Sequence, residues 1–248
     1  MLSASSFQLL PYTREQLPAP HRELQLFIGA DAYRHGTIWA LASGRGELVD
    51  LRRDALQFKV TLRDVEPLVW RRIEVPARYS FWDLHVAIQD AMGWLDYHLH
   101  MFRIRNVGGD IEEIGIPNED TFEGEPVCHP GWELAVAAYF TRVGTRAEYE
   151  YDFGDGWVHD VLLESIAPRR ARTRYPRCIA GARRCPPEDC GGPHGYAELL
   201  ATIADPTHEE YESTVEWLGG VIDPQAFDPS AVRFDNPAQR WKITFAGG

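Results

Sequence analysis

The sequence predicts an α+β fold, and three stretches carry that expectation. In the first, Glu148 to Glu164, Tyr149, Tyr151 and Phe153 alternate with Glu148, Glu150 and Asp152. Trp157, His159, Val161 and Leu163 then alternate with Val158, Asp160, Leu162 and Glu164. Period two on both sides of Gly154-Asp155-Gly156 is the pattern of a β-hairpin. The second stretch runs from Leu56 to Val65, where Phe58, Val60 and Leu62 alternate with Gln57, Lys59 and Thr61. It turns at Glu66-Pro67 into Val69–Val75, which Pro76 stops; this is a strand followed by a strand. The third is helical: Phe81, Leu84, His85, Ile88 and Met92 recur at helical spacing, with Ser80 as N-cap, Asp83 in the capping-box position and Gly93 as the stop.

The length of the hairpin loop decides the role of His159. A two-residue turn at Asp155-Gly156 sets Asp152 opposite His159 and makes a carboxylate–imidazole pair suited to acid–base chemistry. A loop of Gly154 to Gly156 shifts the register by one residue and swaps the faces. Tyr149, Tyr151, Phe153, Trp157, His159, Val161 and Leu163 then share one face and Glu148, Glu150, Asp152, Asp160 and Glu164 the other. The second arrangement separates apolar from charged side chains better, and it turns His159 toward the core. The reversal is assigned to Gly154, where valine is expected to misfold the chain.

The remaining elements follow in order. Residues 1–22, with Pro11, Pro18 and Pro20, read as an irregular arm. Residues 24–51 hold short apolar pieces that fit strands or a short helix. Tyr97–Arg105 reads as a strand with His98, His100, Phe102 and Ile104 on one face, so that two imidazoles could reach one metal. Residues 106–132 read as an acidic loop, and 134–139 as an apolar run of either type. Tyr196–Ile203 and Glu209–Leu218 read as helices, Val232–Phe234 and Trp241–Phe245 as closing strands.

Composition excludes several classes. The chain has 248 residues, 44% of them hydrophobic, and a net charge of −12. It can bury a core, and it repels a phosphate backbone overall. It has no apolar run long enough for a membrane helix and no signal-peptide pattern, so a cytoplasmic protein without membrane contact is expected. The one basic stretch, Arg169, Arg170, Arg172, Arg174, Arg177, Arg183 and Arg184, suits a phosphate or nucleic-acid partner, or a solvated loop.

The strongest chemical signal is Cys178 to His194. Cys178, Cys185, Cys190 and His194 lie on a Pro/Gly-rich loop with little apolar content to fold it. Three thiols and an imidazole make a set for a closed, structural zinc site, although the spacing lacks the Cys-x-x-Cys knuckle. Two other readings stand beside it. The cysteines can be small buried packers, or Glu188 and Asp189 can line a catalytic pocket with His159.

Several strings together resemble the plasmid pRiA4b ORF-3-like family, also labelled TnpR-type passenger proteins of an insertion element. They are Phe58–Leu62 with Val69–Ile73, Asp83–Gln89, Gly93-Trp94 with His98-Leu-His100 and Phe102, and Tyr149–His159. Cys185-Pro-Pro-Glu-Asp-Cys-Gly-Gly192 with Gly195-Tyr196, and Glu216–Gly219 with Asp223-Pro224, complete the set. The resemblance covers about residues 55–235. It implies a curved, mostly antiparallel, roll-like sheet with helices packed on it, and it divides the chain into an N-terminal extension, 1–54, and the family domain, 55–248. Its members are chiefly uncharacterised. Where the family pattern has an aromatic residue between Pro193 and Gly195 this chain has His194, which leaves His159 or another distant residue as an alternative fourth zinc ligand.

The expected function is therefore a binding or interaction module of unknown ligand, with a surface built by the 154–156 turn and the 178–194 loop and with protein or nucleic acid as its partner. The alternatives are a hydrolase and a nucleic-acid accessory protein. The hydrolase would use His159, His98 or His100 with Asp152, Asp155, Glu188 or Asp189, with or without a metal; the accessory protein would use the arginines.

Overall fold

Alternating burial along successive strands builds an open, mostly antiparallel sheet in a computed structural model that describes residues 39–40, 49–106, 108–117 and 127–246. The expected arm at 1–22 lies outside the described residues. A two-stranded ribbon, β1 (Trp39–Ala40) and β2 (Val49–Asp50), forms a separate small sheet whose Val49 is buried in the main core. The main sheet uses β3 (Asp54–Leu62), β4 (Trp70–Pro76), β5 (His100–Arg105), β6 (Ile111–Gly115), β7 (Cys128–Pro130), β8 (Arg146–Tyr151), β9 (Trp157–Pro168) and β10 (Arg177–Ala182). Their order is β10-β4-β3-β9-β8-β5-β6-β7, and the β6–β7 pair is parallel. Register breaks at Gln57/Phe58 and Cys178/Ala180 are the irregularities through which such a sheet bends.

Among the described residues four helices accompany the sheet: α1 (Phe81–Met92), α2 (Gly192–Ala204), α3 (Tyr211–Trp217) and α4 (Pro237–Ala246). Helix α1 has the capping box read from the sequence. The Ser80 hydroxyl accepts from the Asp83 N–H, the Asp83 carboxylate accepts from the Ser80 N–H, and Gly93 closes the helix in left-handed backbone. Phe81, Leu84 and Ile88 of α1 are buried with Phe58, Phe102, Tyr149 and Phe140 in one core. Edge-on ring pairs, Phe58–Phe140 at 4.8 Å and Phe81–Phe102 at 5.1 Å, join its parts. Arg71 is buried as well; its guanidinium donates to the carbonyls of Ala91, Trp70 and Ala182 and lies 3.7 Å over the Phe227 ring. It thereby ties α1, β10 and the C-terminal segment together.

The opposite face of the sheet is polar and laced by arginines. Arg63 bridges Glu148 and Asp160, Arg103 bridges Glu113, Glu148 and Glu150, and Arg72 grips Glu164 with two nitrogens. Each contact is half-exposed and contributes little alone. Together they hold the acidic side chains outward, which is the segregation expected from the alternation.

The hairpin keeps its expected faces but not its loop. Tyr149 stands opposite His159 and Tyr151 opposite Trp157, so the turn runs from Asp152 to Gly156 and Phe153 leaves the strand for solvent. The parity matches a loop of Gly154 to Gly156, because lengthening it by two residues, Asp152 and Phe153, shifts the register by two and preserves the faces. The left-handed positions are Asp152 (φ 55°) and Gly156 (φ 67°), not Gly154. The Asp152 side chain makes the turn itself, accepting from the N–H groups of Gly154 and Asp155 at 3.0 and 3.3 Å.

Two further expectations change. The acidic 106–132 region contains β6 and β7, whose short runs are masked by surrounding Gly, Pro and acidic residues. The predicted strand Trp241–Phe245 is part of helix α4, and Val232–Phe234 forms no strand. Asn236 accepts from the Ala238 N–H and Pro237 stands first in the helix, an N-terminal signature legible in the sequence. Trp241 and Phe245, four residues apart, both meet Trp82 and Trp132.

His159 is fully buried, as the favoured register requires. Its Nδ1 lies 3.2 Å from the Tyr149 carbonyl, and burial lowers its pKa to about 4. The imidazole stays neutral in the fold, whereas the unfolded chain binds a proton below about pH 6.5. Its contribution is therefore complete above about pH 6.5 and is lost as pH falls toward 4, by up to about 1.4 kcal/mol per pH unit. Urea midpoints at pH 7.5, 6 and 5 should show this decline, and His159→Leu should flatten it. Gly156→Ala should cost about 1 kcal/mol in the same assay, because alanine resists left-handed backbone. Gly154→Ala should cost less, its Cβ meeting only the Asp152 carboxylate at 3.2 Å.

Candidate functional site

Three segments remote in sequence meet beside the hairpin turn: the 93–99 connection from α1 to β5, the 152–156 turn, and a flap from Cys185 to Gly192. The Tyr151 hydroxyl lies at their junction. It accepts from the Tyr97 N–H at 3.0 Å and donates to the Glu188 carboxylate in a very short bond. The other Glu188 oxygen accepts from the Leu95 N–H at 2.8 Å, and the Trp94 indole N–H donates to the Pro186 carbonyl at 2.9 Å. Burial and the neighbouring carboxylate keep the Tyr151 phenol protonated by pushing its pKa up.

The flap meets the turn at Asp155. The Gly191 N–H donates to the Asp155 carboxylate at 3.3 Å, and Gly192, with φ 69°, passes so close that a Cβ would fall 2.3 Å from the Asp155 carbonyl oxygen. A glycine is required there for both reasons. The turn and the 178–194 loop thus share one surface, as the sequence suggested.

His98, Asp152 and Asp189, one from each segment, point into this junction. The His98 Nε2 lies 2.9 Å from an Asp189 oxygen and 3.6 Å from an Asp152 oxygen. Asp152, Asp189 and Asp96 all hold left-handed backbone, at φ 55°, 57° and 64°; aspartate tolerates this conformation better than most residues. Beyond Asp155's bond to the flap, neither Asp152 nor Asp155 pairs with His159, so the expected catalytic trio of His159, Asp152 and Asp155 is not assembled. The reason is the register, which sends His159 to the core face.

His98 and His100 also diverge. His100 is buried, stacked on His85 with ring centroids 3.5 Å apart and planes 9° from parallel. His85 is held by the Tyr149 hydroxyl at 2.8 Å and by Asp96 at 2.8 Å. From α4, Arg240 reaches both Asp96 at 3.5 Å and Asp90 at 2.8 Å, which closes this polar column.

The set Cys178, Cys185, Cys190 and His194 does not converge. Among the described residues, the grouping with metal-ligand spacing is His98, Asp152 and Asp189. Cys178 lies in β10 and donates to the Ala180 carbonyl, and Cys185 is buried with its thiol pushed up to about 12 by burial. His194 stands at the start of α2, exposed beside Glu198. All four cysteines are free thiols. The flap is held by Glu188, Pro186, Gly191 and Gly192, bonds that its composition gave no reason to foresee.

Of the arginine stretch, Arg177 pairs with Glu74 and Arg169 donates to the Arg52 carbonyl, while Arg170, Arg172 and Arg174 are exposed between β9 and β10. One feature of the site was missed in the sequence. Leu95, Tyr97, Leu99 and Phe153 are 60, 72, 53 and 47% exposed, and they flank the junction. Its signal in the sequence is the alternation of Leu95, Tyr97 and Leu99 with Asp96 and His98; the strand expected over Tyr97–Arg105 begins only at His100, so Tyr97 to Leu99 belong to the connection instead. Gly192→Ala should separate flap from turn. It should lower the melting temperature and open the Glu188–Tyr151 contact, seen as faster amide exchange at Leu95 and Tyr97.

The comparisons agree with this architecture. The model of the "Plasmid pRiA4b ORF-3-like protein" family matches residues 54–231. The "Uncharacterized protein y4hQ" of Sinorhizobium fredii is 38% identical over 194 residues, which is 75% of this chain and 93% of that protein. A crystal structure of a "Protein of Unknown Function", MM3350 from Methanosarcina mazei Go1, is 42% identical with a TM-score of 0.67, covering 73% of this chain and 99% of that one. The hairpin, the Trp94–His98 connection and the flap all lie within the matched region, and the chain belongs to the plasmid pRiA4b ORF-3-like family.

Proposed function

We propose that the protein is a binding module that takes a protein segment combining basic and apolar side chains at the junction of turn and flap. The row Leu95, Tyr97 and Leu99, continued by Phe153, carries this reading. The backbone behind the row is fixed by the bonds of Leu95 to Glu188, of Tyr97 to Tyr151 and of the Asp152 N–H to the Leu99 carbonyl at 2.9 Å. The side chains are therefore presented by a rigid frame, which lowers the entropic cost of association. Grouped exposed apolar side chains rimmed by polar groups mark interaction sites.

Charge selects the partner. Asp155, Glu188 and Asp189 border the row on a chain of net charge −12. Lysine and arginine in the partner are favoured and acidic segments repelled. The four free thiols suit work in the cytoplasm. The arginine turn between β9 and β10 offers a weaker nucleic-acid reading, since its free members are Arg170, Arg172 and Arg174 on one loop of an acidic protein.

The test is a peptide array of varied basic, acidic and apolar content, probed with the purified full chain. Enrichment of peptides pairing Lys or Arg with Leu or Phe is expected, and Leu95→Ser/Tyr97→Ser should weaken their binding at least tenfold without lowering stability. Binding without that selectivity, or unchanged in the double variant, overturns the proposal. So does binding that passes to oligonucleotides and is lost in Arg170→Glu/Arg172→Glu/Arg174→Glu.

A further inference from the structure

We infer that His98, Asp152 and Asp189 form an open site for a divalent transition-metal ion, with zinc as the favoured occupant. The inference does not depend on the docking reading. One ligand atom from each residue, an imidazole nitrogen and two carboxylate oxygens, lies within 4.8 Å of the other two. The separations from the His98 Nε2 are 2.9 and 3.6 Å. An ion with bonds of 2.0–2.2 Å holds neighbouring ligand atoms roughly 3.0 Å apart in octahedral and roughly 3.4 Å apart in tetrahedral geometry. The two separations from His98 lie close to this spacing, and the two carboxylates lie within 4.8 Å of each other.

One buried polar atom at the site, the His98 Nε2, lacks the hydrogen bond that buried groups normally find. The His98 Nε2 is shut off from solvent yet makes no aligned hydrogen bond, even to the Asp189 oxygen beside it. The Asp152 side chain belongs to a residue only 7% exposed. Its Oδ1 is used by the Gly154 and Asp155 N–H groups, while Oδ2 faces His98 at 3.6 Å. An imidazole nitrogen and a carboxylate oxygen thus converge, with a second carboxylate alongside, and a cation held by the neutral imidazole satisfies all three. The backbone bonds to Oδ1 orient the Asp152 carboxylate as outer hydrogen bonds orient ligands in metal sites.

The donor set restricts the ion. One imidazole and two carboxylates suit zinc, iron(II) or manganese(II) better than calcium, which takes six to eight oxygens, or copper(I), which favours thiolates. Zinc binds more tightly than manganese in the general affinity order. Neighbouring acids are occupied: Asp155 takes the Gly191 N–H, and Glu188 takes Tyr151 and Leu95. The protein therefore supplies three ligands and leaves the remaining positions to water, the arrangement of an exchangeable site. The ion would neutralise two carboxylates and link the flap, the turn and the α1–β5 connection.

The test uses the full chain stripped with a chelator, then titrated with zinc against a chromophoric competitor and separately with cobalt(II). One zinc per chain is expected, and Asp189→Asn and His98→Gln should each weaken binding at least tenfold. Both residues are at least partly exposed, so the metal-free variants should keep the wild-type melting temperature, while zinc should raise it in the wild type alone. Cys190→Ser should leave affinity unchanged, and the cobalt adduct should lack a thiolate charge-transfer band. No binding by the wild type, wild-type affinity in both ligand variants, or a thiolate band would each overturn the assignment.

Discussion

The Tyr151 hydroxyl is the tie on which the surface of this protein depends. The phenol side chain is buried at the end of β8, yet its oxygen reaches the Tyr97 N–H and the Glu188 carboxylate. Glu188 in turn holds the Leu95 N–H. The three segments thus share a fixed frame, and the flap, which has little apolar area of its own, is anchored by hydrogen bonds to charged groups. Such bonds are stronger than neutral ones and costly to leave unmade. The frame explains why Leu95, Tyr97 and Leu99 can stand exposed without collapsing onto the core.

Beneath this frame lies a column of polar groups that a hydrophobic core usually avoids. Arg240, Asp96, His85 and the Tyr149 hydroxyl form a chain, with His100 stacked alongside and Gln89 also donating to Tyr149. From Arg240 to Tyr149 each link satisfies its neighbour, so removing one would strand the next in a medium that solvates it poorly, whereas both His100 nitrogens and the Gln89 side-chain oxygen are buried without a hydrogen bond. The column joins α4, α1 and β8, and it positions the connection from which His98 emerges. The arrangement of the surface and that of the interior are therefore set by the same strand: Tyr149 faces the column and Tyr151 the junction.

The regular elements were legible because local physics decides them. The period-two stretches Phe58–Leu62 and Tyr149–Leu163 and the Ser80/Asp83 capping box appear in the structure where the alternation and the cap place them. The 106–132 region failed because β6 and β7 are short and gain stability from pairing across the sheet rather than from their own pattern. Trp241–Phe245 was misread because aromatic and β-branched residues favour strands by propensity. The Asn236-Pro237 start and the four-residue spacing onto Trp82 and Trp132 outweigh that preference.

By itself the sequence determined the α+β class, the faces of the hairpin and the burial of His159. Periodicity, capping and glycine placement are local properties that survive without knowledge of partners. Only the tertiary structure decided which titratable groups meet. Whether His98 pairs with His100 or with Asp152 and Asp189, and whether the flap thiols converge, depends on contacts between segments remote in sequence. Those contacts are fixed by strand register and by single close approaches such as Gly192 on Asp155. A register is a cooperative outcome of the whole sheet, and no spacing within one segment encodes it.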